Sequence, residues 1–187
     1  MTIGKGKSLR IVNAVLFLAV LTLLFIHRDR FLAMVHPKAD KAVGTAAPEL
    51  ADGTWFNSGP MSLQSLRGKI VVLDFWTFKC GNCIDVLPTI NEWNRKYAGK
   101  GVVFIGVHTP ETDEEADTSS LRTFLHASNI QFPVVTDNGY TTWNRYRVQF
   151  WPSTFLIDRE GMVRKFHYGE LGFSSIEKEI QDLLNPR

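Results

Sequence analysis

Two apolar runs, Ile70-Val71-Val72-Leu73-Asp74-Phe75-Trp76 and Val102-Val103-Phe104-Ile105-Gly106-Val107, bracket a stretch with helical spacing. Each run is short, rich in β-branched residues and almost continuously apolar. Each therefore reads as a strand buried on both faces. Between them Leu87, Ile90, Trp93 and Tyr97 fall on one face of a helix. Pro88 predicts a kink in that helix, and Gly99-Lys100-Gly101 predicts its end. Strand, helix and strand at this spacing give a parallel βαβ unit with a right-handed crossover. A chain built on that unit belongs to the α/β class.

The rest of the chain extends the unit. Residues 36–60 read as a linker and an opening strand or turn, punctuated by Pro48, Gly53 and Gly59-Pro60. Residues 61–66 read as a short turn of helix. After the second strand, residues 111–117 are acidic and read as a loop or helix start with a solvated face. Residues 119–128 and 141–146 read as helical, and 132–135 as a short strand. Residues 153–158 and 162–166 flank a turn at Arg159-Glu160-Gly161 and predict a hairpin, hence an antiparallel end to the sheet. Residues 176–184 predict a closing amphipathic helix.

The first strand runs into Thr77-Phe78-Lys79-Cys80-Gly81-Asn82-Cys83, which holds the only two cysteines of the 187 residues. A Cys-x-x-Cys pair brings two sulfurs within disulfide range across one turn. At a helix N-terminus the local positive charge favours the thiolate, the reactive species in disulfide exchange. A structural zinc site needs four ligands, and neither a second cysteine pair nor a His-x-x-x-His spacing is present. Haem attachment needs His after the second Cys, where this chain has Ile84. A copper site of two cysteines and a histidine such as His108 or His167 remains open, because thiolates suit Cu(I). Redox dithiol chemistry leads, and copper binding and delivery is the alternative.

Composition narrows the partners. Residues 1–41 carry seven Lys/Arg and two Asp/Glu, and the remainder carries fourteen and seventeen. The body therefore has no basic surplus to attract nucleic acid. The N-terminal excess surrounds residues 11–26, apolar except for Asn13 and Thr22. Sixteen helical residues reach roughly 24 Å, short of the ~20 residues of a full span. Beginning at Leu9 and letting Arg10 and Arg28 snorkel extends the segment to residues 9–28. No small-x-small cleavage site follows it closely, so an uncleaved membrane anchor or signal over residues 1–30 is expected. A linker over 31–41 and a domain over 42–187 complete the expected organisation. Basic residues on both sides of the segment leave its orientation undecided.

The dithiol with its flanks, Leu87-Pro88, Gly106-Val107-His108-Thr109-Pro110-Glu111 and Trp151-Pro152-Ser153-Thr154-Phe155-Leu156-Ile157-Asp158 together resemble thioredoxin-like domains of the TlpA and DipZ type. The resemblance covers residue 42 to the C-terminus. It implies a thioredoxin-like fold, a central mixed sheet flanked by helices, preceded here by the N-terminal transmembrane helix. It also implies a thiol–disulfide oxidoreductase tethered to the cell membrane, its domain extracytoplasmic (periplasmic). Reduction of protein disulfides is favoured over their formation. No cofactor or metal beyond the redox-active dithiol is implied. The chain lacks the multi-span region of DipZ-type proteins, so a separate membrane electron donor is expected.

Residue by residue, the resemblance makes Cys80 the attacking cysteine, with Lys79 adding positive charge, and Cys83 the resolving one. Asp74 matches a buried acidic residue beneath the dithiol. A carboxylate in an apolar strand is costly without a task or partner, and proton exchange with Cys83 is the natural task. Pro152 matches a cis-proline facing the dithiol. Trp76, Lys79, Gly81, Asn82, Trp151 and Pro152 are the expected substrate-contacting set, with Trp151 either a groove wall or a core residue. His108 and Glu111 follow the second strand, where ligand sites of parallel sheets gather. They either border the dithiol or merely cap the sheet.

Overall fold

A computed structural model describes residues 38–185. The expected anchor over residues 1–30 lies outside the described residues. Among the described residues no helix is long and apolar enough to cross a membrane. The folded body starts at Lys38, earlier than residue 42. A 3-10 helix, Lys38–Ala42, buries Ala39 completely, so the end of the expected linker is part of the domain.

The strands are β1 (Trp55–Phe56), β2 (Ile70–Trp76), β3 (Val102–His108), β4 (Val134–Thr136), β5 (Ser153–Ile157) and β6 (Val163–Tyr168). The helices are α1 (Gly81–Tyr97), α2 (Asp113–Ala116), α3 (Thr118–Ala127), α4 (Thr141–Arg145) and α5 (Ser174–Leu184). They form one mixed sheet in the order β1-β4-β3-β2-β5-β6. β2, β3 and β4 are parallel, while β5 runs antiparallel to β2 and forms the expected hairpin with β6. This is the thioredoxin-like fold.

The period-two alternation of β2 assigns its side chains to two cores. Ile70, Val72 and Trp76 face Val86, Leu87 and Ile90 of α1 and Ile176 and Ile180 of α5. Val71, Leu73 and Phe75 face Trp143, Tyr146 and Phe155 on the other side. By the same alternation Asp74 shares the α1 face. Pro88 sits within α1 without ending it.

Three boundaries differ from the pattern reading. The two-residue β1 is too short for a periodic signal and exists by pairing antiparallel with β4. β6 runs on to Tyr168 because His167 and Tyr168 pair with Thr154 and Ser153. The acidic stretch holds a single helical turn, α2, that turns Glu115 inward.

Gly106 is where the sheet and a large aromatic meet. A Cβ there would lie 2.6 Å from Trp76 Nε1 and 3.1 Å from Phe132. Gly106→Ala is therefore expected to lower stability by about 1–3 kcal/mol through overpacking. The loss is read from denaturant unfolding, and Trp76 fluorescence should shift in the folded variant.

Candidate active site

β2 ends at Trp76, and four residues later Cys80 becomes the N-cap of α1. Its backbone is extended there, and its Sγ accepts the Cys83 N–H at 3.2 Å. The first turn of α1 carries no acidic residue to offset the positive helix end. Cys80 and Cys83 are joined as a disulfide with Cα atoms 5.2 Å apart. The two are unequal: Cys83 is fully buried, while Cys80 is only partly so.

Cys80 opens into a cavity of about 460 Å3 whose walls include Gly81, Asn82, Glu111, Phe150 and Trp151. Asn82, Phe150 and Trp151 also line a neighbouring groove of about 650 Å3, together with His167, Tyr168 and Leu171. Trp151 does both things expected of it. It walls the cavity, and its ring packs 4.2 Å from that of Trp143. The Trp151–Pro152 bond is cis, and the Pro152 carbonyl accepts the Gly169 N–H at 2.9 Å.

Two of the expected contact residues are placed differently. Trp76 is fully buried, packed edge-on against His108 and tilted against Phe124. It is a core residue and offers no surface to a substrate. Lys79 is exposed, but its ammonium pairs with the Glu114 carboxylate, so its charge is locally offset.

Asp74 is 2% exposed and accepts a hydrogen bond from Thr154 Oγ1 at 2.6 Å. Burial pushes its carboxyl up to about 7, and the Thr154 hydroxyl only partly opposes this. His108 is fully enclosed, and burial pulls it down to about 4 against the pull of nearby Glu115. It is therefore a neutral ring at physiological pH. Its Nε2 lies 3.3 Å from Thr77 Oγ1, and its Nδ1 has no partner. Thr77 gives its single proton to Glu115 Oε1, so His108 Nε2 carries the hydrogen that Thr77 accepts.

Glu115 completes this group. Oε1 accepts from Thr77 Oγ1 and from the Lys79 N–H at 3.0 Å. Oε2 accepts from the Glu111 N–H at 3.0 Å and from Thr112 Oγ1 at 3.1 Å. Burial pushes the carboxyl up, but these four donors outweigh it and hold it below the usual carboxylate range. Among the described residues no three His, Cys, Asp or Glu side chains gather as metal ligands.

The AhpC/TSA family model matches residues 43–166. The chain belongs to that family. ResA, a thiol-disulfide oxidoreductase of Bacillus thuringiensis, is 32% identical over 174 residues, 91% of this chain and 97% of ResA. Protein DipZ of Mycobacterium tuberculosis is 38% identical over 149 residues. Those residues are 78% of this chain but 21% of DipZ, so the chain spans about a fifth of that relative. Among solved structures, a thioredoxin-like superfamily protein superposes with a TM-score of 0.70 at 32% identity, covering 76% of this chain and 97% of its own. A thiol-disulfide isomerase from Corynebacterium glutamicum gives 0.67 at 28%, covering 75% and 98%. These relatives place this AhpC/TSA member among the TlpA- and DipZ-like thioredoxin-fold proteins.

Pattern reading of this family member missed Thr77 and Glu115. Glu115 was hidden in a run of acids, where only its place three residues after Thr112 hinted at a capping box. Glu111, in contrast, borders the cavity as one of its two expected readings had it.

The Asp74 carboxyl makes stability depend on pH. Its folded pKa lies above the unfolded value of 3.8, so its contribution is fully present below that value. The contribution is lost as pH rises through about 7. Asp74→Asn cannot ionise. Its stability relative to the parent is expected to grow between pH 4 and pH 8, by at most about 4 kcal/mol. Unfolding curves at the two pH values check the sign.

Proposed function

We propose that the protein is a membrane-anchored thiol–disulfide oxidoreductase that reduces protein disulfides outside the cytoplasm. Its anchor is residues 1–30, spanning at 9–28, followed by a linker and the catalytic domain. The carrying observation is the inequality of the two sulfurs. Cys80 is partly exposed at a helix N-cap in a cavity wall, and Cys83 is enclosed one turn further on.

The reaction follows from that inequality. The Cys80 thiolate attacks one sulfur of a substrate disulfide, which leaves as a thiolate. The Cys83 thiolate then attacks the Cys80 sulfur and expels the second substrate sulfur. Two electrons pass to the substrate, and the protein is left as the Cys80–Cys83 disulfide. A separate membrane protein dithiol returns the two electrons, and no cofactor beyond the dithiol enters. Asp74, on the α1 side of the sheet and titrating near neutrality, is the proposed acceptor of the Cys83 proton. Gly81, Asn82, Trp151 and Pro152 are the proposed substrate contacts. Phe150, Tyr168 and Leu171 stand exposed around the adjoining groove, which suits a polypeptide substrate.

The test is reduction of a protein disulfide by the reduced full-length chain. Cys80→Ser is expected to abolish turnover, and Cys83→Ala to trap mixed disulfides through Cys80. In the reduced protein one fast-alkylating thiol should titrate below about 8.5. Equal alkylation of both thiols, or turnover surviving Cys80→Ser, would refute this reading. A measured reduction potential and fractionation of the full chain with membranes test the direction and the anchor.

A further inference from the structure

Resting on the oxidoreductase reading, we propose that Glu115 is the positioning residue of the dithiol. It clamps the segment leading into Cys80 and holds a negative charge behind it that makes the dithiol a stronger reductant.

The clamp acts where the sheet stops. The β2–β3 pairing ends at Trp76 and His108, and the Thr109 N–H to Trp76 carbonyl bond at 3.0 Å follows directly. Beyond that point residues 77–80 have no strand beside them. Glu115 takes over by accepting from Thr77 Oγ1 and from the amide of Lys79, the residue before Cys80. Its second oxygen accepts from Glu111 N–H and Thr112 Oγ1 on the opposite loop. Glu111 and Cys80 are walls of one cavity, so a single carboxylate sets the spacing of two cavity walls. A purely structural carboxylate would be expected to tie the strands themselves, which the sheet ladder already does.

The charge is not neutralised. The neighbouring cation, Lys79, is exposed and bonded to Glu114. His108 reaches Glu115 only through the Thr77 hydroxyl and as a neutral ring. Other ionisable groups around the segment are Asp74 on β2, Glu111 on the β3–α2 loop, and Asp40, His167, Tyr168 and Glu170 on the groove shared by Asn82, where burial holds His167 below the usual histidine range. None of these is a lysine or arginine. A fixed negative charge disfavours a thiolate, and the thiolate exists only in the reduced state. Disfavouring the reduced state lowers the reduction potential, which is the property of a reductant.

Charge and clamp separate in two variants of the full-length chain. Glu115→Gln removes the charge. The Cys80 thiol pKa, from alkylation against pH, is expected to fall by roughly one unit. The dithiol–disulfide equilibrium with glutathione is expected to shift about tenfold towards the dithiol, about 30 mV. Thr77→Val keeps the charge but removes the hydroxyl. It is expected to slow the first attack on substrate about tenfold with little change in potential, and Thr77→Ser is expected to restore the rate. Should Glu115→Gln lower thermal stability while leaving thiol pKa and potential unchanged, the charge role is overturned. Should it fail to fold, a Thr77→Val loss that Ser does not rescue overturns the clamp. Turnover that survives Cys80→Ser would instead overturn the oxidoreductase reading. An inactive Cys80→Ser beside an unchanged Glu115→Gln would overturn the positioning role alone.

Discussion

Strand β2 is buried at all seven of its positions, and the site is placed by where that strand stops. A strand with no solvent-facing side needs apolar layers on both faces. α1 and α5 supply one, and the Trp143, Tyr146 and Phe155 cluster supplies the other. Full burial of each large apolar side chain contributes about 1.5–3 kcal/mol, so sliding β2 by one residue would exchange its two faces at large cost. The register with β3 and β5 is therefore firm. Cys80 inherits that firmness through four residues.

The same burial imposes a cost wherever the strand ends carry polar groups, and the protein meets it in three ways. Asp74 holds its proton until near neutrality, with a single hydroxyl as partner. His108 is kept neutral, one nitrogen bonded and the other unpartnered. Glu115 stays charged because four donors saturate its two oxygens. An isolated buried carboxylate costs far more than a hydrogen-bonded one. The difference between Asp74 and Glu115 thus reflects donor count: one against four.

These differences also explain what the sequence made legible. The βαβ unit, the hairpin and the dithiol at a strand end were visible because each rests on local spacing. So was the Trp151–Pro152 bond, through its setting in the matched motif. An opening strand or turn was expected within residues 36–60, but the place of β1 was not visible, because two residues carry no period and their pairing with β4 is made across some eighty positions. Glu115 was not visible either. Its inward turn depends on Thr77, 38 positions earlier, lying beside α2 once the sheet has formed. Trp76 read as a contact residue because it adjoins the dithiol motif. Strand alternation sends it instead to the core beside Gly106.

Opposed fields meet at Cys80. The N-terminus of α1 and the Cys83 N–H favour a thiolate, and no acid in the first turn weakens them. Behind the segment, Glu115 opposes them with a charge that the Lys79–Glu114 pair leaves uncancelled. The helix end falls off within a turn, whereas a desolvated charge is less screened and reaches further. Attack on substrate needs some thiolate, but nucleophilicity falls as the thiol pKa falls. In the proposed reductant the two balance: the helix end supplies the thiolate, and the buried carboxylate limits how far it is stabilised.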